Sequence, residues 1–531
     1  MNTTRLTGGR PPPGDVVRAS EPEADRPNDT TGKPTAQDVK LVPTSMLRKR
    51  GGLQILLGIS VLVLAWSCLQ IAGFSDHPTT STSAVSVCAF LWLAFYVAST
   101  WSAFGTPYLL TSAYILAMMA FNFGLIAQDG FGFIHVGGYE EEFGHWATLA
   151  GWYANLALGC LGTGFATSLL TMKPGAGLKP DVAAALTARN LARLRNLGVG
   201  LCLACLVFLL IGIGQVGNLL QYNRNQLFFS GMDIRGIALV NWFGPSAAIA
   251  MLISARTPSQ RRWSYVLGVV ALAIYLLSGN RSMAMFPLLV GICIWVKSGR
   301  RFPLPVAAGL ALAAILVIPV IGALRTMGAY DKISFSDIST SSESASVSAA
   351  LAELGGSAGV LAITLQYVPA EEPFRYGSTY LGYVRQVIPN VGGKTDISES
   401  PRAIIAESGS LSAALPKLNP STWASIKVLG VQGALYAGQG VGFSGIAEPY
   451  FNFGFAGVVV YFLAVGVFFA RMESKSLLLS FRWLAFATFF YWFYISTVRN
   501  EFGVFVKPAS FILITMGVWM VVRRFTPYAK A

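Results

Sequence analysis

Long apolar runs separated by short charged joints leave few folds open to this chain. A helix needs about 20 mostly apolar residues to cross the hydrocarbon core of a bilayer. Runs of that kind fall near 53–73, 84–104, 107–127, 146–171, 197–215, 237–255, 263–278, 283–297, 303–322, 451–470, 482–498 and 504–522. The expected fold class is an all-α polytopic membrane protein with about 12 transmembrane helices. Composition points the same way: 12% of the 531 residues are charged and 53% are hydrophobic, with a mean hydropathy of +0.55. A soluble chain carries about 25% charged residues, and half of that cannot cover a water-facing surface.

Charge placement predicts orientation. Residues 1–50 are polar, rich in Pro, Thr, Asp and Gly, and lack the apolar stretch of a signal peptide; they read as a disordered cytoplasmic tail. The tail ends in Arg48, Lys49 and Arg50, which hold the start of the first helix inside. Joints expected inside carry Lys173, Lys179, Arg189, Arg193 and Arg195, then Arg256, Arg261 and Arg262, then Lys297, Arg300 and Arg301, then Arg471, Lys475 and Arg482. Short joints expected outside carry Asp76, Asp129, Glu140, Glu141 and Glu142 and no Lys or Arg. The positive-inside rule then puts both ends in the cytoplasm, with the chain spanning the cytoplasmic (inner) membrane. The net charge of +14 lies at helix ends and forms no basic face, so nucleic acid is not expected as a partner. Four regions follow: the tail; nine helices over 51–322; a large extracytoplasmic loop over 323–446, with short helices over the outer mouth; and three helices with a short cytoplasmic C-terminus over 447–531. The six cysteines all lie in apolar stretches, and the Cys202/Cys205 pair sits inside a span, where small residues pack.

Charges at membrane depth are costly and mark function. Here they collect at the outer ends of the later helices: Arg281 after Asn280, Arg325, Glu448, Arg499 with Glu501, and Lys507. A guanidinium donates paired hydrogen bonds to phosphate and keeps its charge when desolvated. Arg281 and Arg325 are therefore the first candidates for an anion site, with Arg499 and Lys507 next. The structural alternative is an Arg–Glu pair, such as Arg499 with Glu501, that closes the bundle. Glu448 reads either as a general base or as a helix-capping carboxylate. The stretch holding Arg375, Tyr376, Tyr380 and Arg385 combines aromatic faces with donors, which suits a glycan; an interfacial aromatic belt is the alternative. His77, His135 and His145 are scattered and no D-x-D occurs outside, so neither metal nor cofactor is expected. The glycines at 438–442 do not match G-x-G-x-x-G, and no P-loop is present.

Three patches, taken together, resemble a known family. They are Ser278-Gly279-Asn280-Arg281-Ser282; Phe374-Arg375-Tyr376-Gly377-Ser378-Thr379-Tyr380-Leu381 with Ile388-Pro389; and Gly442-Phe443-Ser444-Gly445-Ile446-Ala447-Glu448-Pro449-Tyr450-Phe451-Asn452-Phe453-Gly454 with Gly457. Over roughly residues 230–505 the chain resembles the Wzy-type O-antigen polymerases, or oligosaccharide repeat unit polymerases. The resemblance implies a GT-C-like membrane glycosyltransferase. It would join oligosaccharide units carried on undecaprenyl pyrophosphate, at the outer face of the membrane, into O-antigen, capsule or exopolysaccharide. In that reaction Glu448, Arg281 and Arg325 would be catalytic. Arg281, Arg325, Arg499 and Lys507 would hold pyrophosphate, and Arg375, Tyr376, Tyr380 and Arg385 the glycan. Partners would be the lipid-linked oligosaccharide, the bilayer and a chain-length-regulating co-polymerase. Two other readings stand beside it. An O-antigen ligase would favour an external His in the large loop, and 323–446 contains none. A transporter or flippase should bury charge at mid-membrane, where this chain offers Asn122, Asn155 and Asn241 and no visible internal repeat.

Overall fold

The computed structural model describes residues 50–73, 81–133, 143–172, 180–216, 237–277, 281–298, 347–387, 401–436, 441–474, 477–506 and 508–510, with isolated positions between 300 and 309 and between 513 and 517. Every regular element among them is helical. In chain order they are α1 (Arg50–Ala72), α2 (Thr82–Phe104), α3 (Leu110–Gly130, with a π-helical turn at Met119–Phe123), α4 (His145–Thr171), α5 (Pro180–Val216), α6 (Ile237–Ser254), α7 (Pro258–Leu277) and α8 (Arg281–Lys297). Then come α9 (Val347–Tyr367), α10 (Ser378–Val387), α11 (Pro401–Ser408), α12 (Leu411–Ala414), α13 (Pro420–Val431), α14 (Ala447–Ser474), α15 (Phe481–Phe489) and α16 (Tyr491–Ser496).

Among the described residues, six helices are long and apolar enough to cross a membrane: α1, α2, α3, α4, the Val182–Phe208 part of α5, and α14. Phe243–Ser254 and Met283–Lys297 are shorter apolar helices. The chain is thus a multi-pass α-helical membrane protein. Helices α1 to α4 match the first four expected spans to within three residues at each end. Helix α5 begins well before the expected 197–215 and runs for 37 residues. Its first turns, rich in Ala, Leu and Arg, are good helix formers with no breaker among them, so Arg189, Arg193 and Arg195 ride on the helix. The expected 482–498 span is divided into α15 and α16. The expected 303–322 span, most of 504–522 and the N-terminal tail lie outside the described residues.

The segment 323–446 holds more than short helices. Helix α9 runs for 21 residues and packs against α3 and α4. Ala358, Val360, Leu361, Ala362, Ile363 and Leu365 are buried there. At Gly355 the backbone of α9 comes so close to that of α3 at Leu125 that any Cβ would overlap it. Small residues give such contact where hydrophobicity alone cannot drive one helix against another.

Helix α4 is the hub. It packs against α1, α2, α9 and α14, and most of its length is buried. The contact with α14 is reciprocal: Gly164 admits the Leu463 carbonyl, and Gly466 admits the Leu161 carbonyl. Few polar ties cross between these helices. Asn155 Nδ2 donates to the Val85 carbonyl at 3.0 Å, and Trp92 Nε1 to Ser60 Oγ at 3.2 Å. A second group, α5 to α8, packs against α15 and α16, with α8 also on α3, and Trp492 Nε1 reaches Ser246 Oγ at 2.8 Å.

At one end of the bundle the chain ties three helix termini with charge. Lys297, the last residue of α8, pairs with Glu473 near the end of α14. The other oxygen of Glu473 accepts from the Thr111 N–H at 3.2 Å and from its hydroxyl at 3.4 Å, at the start of α3. Tyr491 Oη donates to the neighbouring Leu110 carbonyl at 2.6 Å.

Substituting Gly466→Leu should drive α14 off α4 and cost about 1–3 kcal/mol, as overpacking does, lowering Tm in detergent. Gly58→Leu, at a position with nothing within 4 Å, should leave Tm unchanged; equal shifts would argue against the close α4–α14 contact.

Candidate active site

The site is built around a break in α14. Gly454 has φ 63° and ψ −149°, a conformation open in practice to glycine alone. A helix interrupted there frees the carbonyls just upstream of the break. The segment before α10 takes them: the Arg375 N–H donates to the Phe451 carbonyl at 3.0 Å and the Tyr376 N–H to the Asn452 carbonyl at 2.9 Å. Tyr376 (φ 48°) and Gly377 (φ 84°) turn the chain from this docked stretch into α10. The ring of Phe374 lies 3.0 Å from where a Cβ on Gly454 would stand. Two patches some 75 positions apart are thereby laid side by side.

Asn452 cements the contact. Its Oδ1 accepts from the Gly377 N–H at 2.9 Å, and its Nδ2 donates to the Glu448 carbonyl at 2.9 Å and to Thr379 Oγ1 at 2.8 Å. Thr379 Oγ1 in turn donates to Glu448 Oε1 at 3.2 Å. The other carboxylate oxygen of Glu448 accepts from the Phe502 N–H at 2.7 Å. Glu448 is 2% exposed and, among the described residues, forms no ion pair.

The turn that carries Phe502 is itself fastened. The Phe443 N–H donates to the Arg499 carbonyl and the Gly445 N–H to the Val498 carbonyl, each at 3.1 Å. At Gly445 a Cβ would stand 2.6 Å from the Thr497 carbonyl. Ser444 Oγ donates to Asn122 Oδ1 at 3.2 Å. Asn122 belongs to the π-helical turn of α3, a distortion that recurs at functional sites. The loop 441–446 is thus held between α3 and the turn after α16.

The remaining expected site residues fall in different places. Tyr380 stands edge-on to Phe502 at 5.6 Å between centroids, beside Glu448. Tyr383, one turn along α10 from Thr379, lies against Gly503; its hydroxyl is buried and faces Glu501. Burial pushes both phenols up, with Glu448 adding to each and Glu501 to Tyr383, so both remain protonated donors. Arg499 lies over the Phe121 ring at 5.5 Å. Glu501 accepts from the Ser421 N–H at 3.0 Å, where an anion complements the N-terminus of α13. Arg375 is turned inward. It donates to the carbonyls of Leu415, at 2.9 Å, and Pro416, lies 3.6 Å from Glu372, and covers the Phe451 ring at 4.9 Å. Burial works against its charge and Glu372 supports it. Glu372 also holds Lys427 at 2.9 Å and Trp423 Nε1 at 2.8 Å on α13. Tyr376, 74% exposed, and Arg385 face outward.

Arg281 opens α8, but its side chain lies outside the described residues, as do Arg325 and Lys507. Residues that sequence reasoning did not assign to the site are Thr379, Asn452, Tyr383, Ser444 and Glu372. Thr379, Asn452 and Ser444 lie inside the two resembling patches, the one signal that could have marked them. Among the described residues, no three His, Cys, Asp or Glu side chains gather as a metal ion would require. Chemically, the arrangement presents a carboxylate fixed by two donors, next to neutral phenols, at the end of α14 away from the Lys297–Glu473 pair.

Gly454→Ala should force the break into a disfavoured conformation at a cost of about 1–3 kcal/mol and press on Phe374. The expected outcome is undocking of 374–377, read as a lower Tm and as faster trypsin cleavage at Arg375 and Arg385. Unchanged cleavage would count against the docking.

No curated protein and no solved structure shows a significant match to this sequence. One family model does match, that described as O-antigen polysaccharide polymerase Wzy, over residues 187–528. This match takes in α8, the docked segment, the Glu448 patch and the Arg499–Phe502 turn. It covers well over half of the chain, and the chain therefore belongs to the O-antigen polysaccharide polymerase Wzy family.

Proposed function

We propose that this protein polymerises a surface polysaccharide by joining oligosaccharide repeat units carried on undecaprenyl pyrophosphate, at the outer face of the cytoplasmic membrane. Family membership supports repeat-unit polymerisation. The observation that carries the residue assignment is the buried carboxylate of Glu448, held through both oxygens where the two most family-like patches meet.

In this reading a hydroxyl at the non-reducing end of one lipid-linked unit attacks the anomeric carbon of the growing chain. The new C–O bond forms as the bond to pyrophosphate breaks, and undecaprenyl pyrophosphate leaves with the bonding pair. The hydroxyl proton passes to Glu448. Arg281 and Arg325, with Arg499 and Lys507 behind them, offset the charge that grows on the leaving pyrophosphate. The energy resides in the sugar–pyrophosphate bond, so the step draws on no nucleotide and no metal. Tyr376, Tyr380 and Arg385 line the approach of the glycan, and Arg375 acts by holding the segment that bears them. Each Glu448 oxygen keeps a second lone pair beside its bond to Thr379 or to Phe502, and the sugar hydroxyl donates to one of these. About 12 spans, a GT-C-like architecture, both ends in the cytoplasm and a chain-length-regulating co-polymerase complete the proposal.

The test uses purified protein in nanodiscs with undecaprenyl-pyrophosphate-linked repeat units, a chelator and no ATP. A product ladder spaced by one repeat unit is expected. Glu448→Gln should slow it by about 10²-fold or more, the scale of a general base. Arg281→Ala should slow it by about 10²- to 10³-fold, the scale of a lost charge stabiliser. Both variants should insert and elute like the parent. A full ladder from Glu448→Gln would overturn the base. No ladder from the parent, with substrate intact, would favour a flippase; transfer to lipid A core without a ladder would favour a ligase.

A further inference from the structure

With Glu448 ionised, as a base must be, the directions of the hydrogen bonds around it follow from groups that can only donate or only accept. The Gly377 N–H can only donate, so the side-chain atom of Asn452 facing it is the oxygen. The Glu448 main-chain carbonyl can only accept, so the atom facing it is the nitrogen. The amide of Asn452 is thus oriented from both ends with no reference to hydrogen positions. Its second N–H then points at Thr379 Oγ1, 2.8 Å away. A hydroxyl has one proton, and that of Thr379 is turned toward Glu448 Oε1 at 3.2 Å. On the far side, the Phe502 N–H at 2.7 Å from Oε2 is again a fixed donor. Both carboxylate oxygens therefore receive.

We propose that Asn452 and Thr379 are positioning residues that fix the polarity of this chain, from Gly377 through Asn452 and Thr379 to Glu448, so that the carboxylate is oriented to take a proton from an incoming sugar hydroxyl. This rests on the reading of Glu448 as the base. A hydroxyl alone could turn its proton away, and a free amide could rotate by half a turn. The docking of 375–377 on the broken helix prevents both. It brings the Gly377 N–H to Asn452 through the same turn that places Thr379 over Glu448. The glycine at 454, the asparagine at 452 and the threonine at 379 are parts of one device: the break admits the segment, the segment orients the amide, and the amide orients the hydroxyl.

Three substitutions test the device in the ladder assay, with initial rates taken across repeat-unit concentration. Thr379→Val keeps the shape and removes the donor. It should lower kcat about tenfold or more, within the range a general base supplies, with KM little changed. Thr379→Ser restores the hydroxyl and should recover most of the rate. Asn452→Asp keeps an acceptor for Gly377 but draws the Thr379 proton toward itself, and should lower kcat as Thr379→Val does. It carries the same test should Thr379→Val fail to fold. Full activity of Thr379→Val, or equal impairment of Thr379→Val and Thr379→Ser, would overturn the inference, the latter by showing a packing role. Glu448→Gln run alongside separates the two levels. If it is inactive while Thr379→Val is fully active, only the polarity device falls; if it is active, the base falls with it.

Discussion

A helix in hydrocarbon ordinarily keeps its carbonyls for its own N–H groups, because a bare carbonyl there costs several kcal/mol. Helix α14 breaks this economy at Gly454 and offers the carbonyls of Phe451 and Asn452 to another part of the chain. Much of the site follows from that concession. The docked segment supplies Thr379, and it lays α10 across the turn at 498–503. It also sets Arg375 where its guanidinium can bond the carbonyls that precede α13. Without the break, Glu448 would be one more polar residue near a helix end, with no partner from residues 374–380.

Sequence reasoning recovered the parts of this molecule that carry a strong one-dimensional signal. Helices α1 to α4 are long apolar runs with polar ends, and their limits could be read closely. Helix α9 was harder because its Ala, Gly and Ser residues look like loop; those same small side chains let it press against α3 at Gly355. The division between α15 and α16 is hidden inside a continuous aromatic run. Glu448 stood out because a carboxylate beside an apolar run is rare. Thr379 and Asn452 carry no charge and no periodicity, and acquire meaning only when 73 residues of sequence separation close to 2.8 Å. The Lys297–Glu473 pair, 176 positions apart, was invisible for the same reason, since each residue alone looks like an ordinary charge at a helix end.

The region matched to the family and the segments that build the site overlap without coinciding. The matched region begins within α5 and runs past the last described residue, so it takes in every segment that touches Glu448, while Asn122 and Phe121 on α3 lie before it. The π-helical turn of α3 is thus a support contributed from outside the matched region, reaching Ser444 and the Arg499 guanidinium from the opposite side.

Glu448 and Glu473 stand at opposite ends of α14, on either side of the break at Gly454. They are held in opposite ways. Glu448 is held by neutral donors, the Thr379 hydroxyl and the Phe502 N–H. Glu473 has a side chain 1% exposed and is paired with Lys297, and separating buried charges costs several kcal/mol. The pair fastens one end of α14 to α8 and α3, and so gives the docked segment at the other end a fixed beam to rest on.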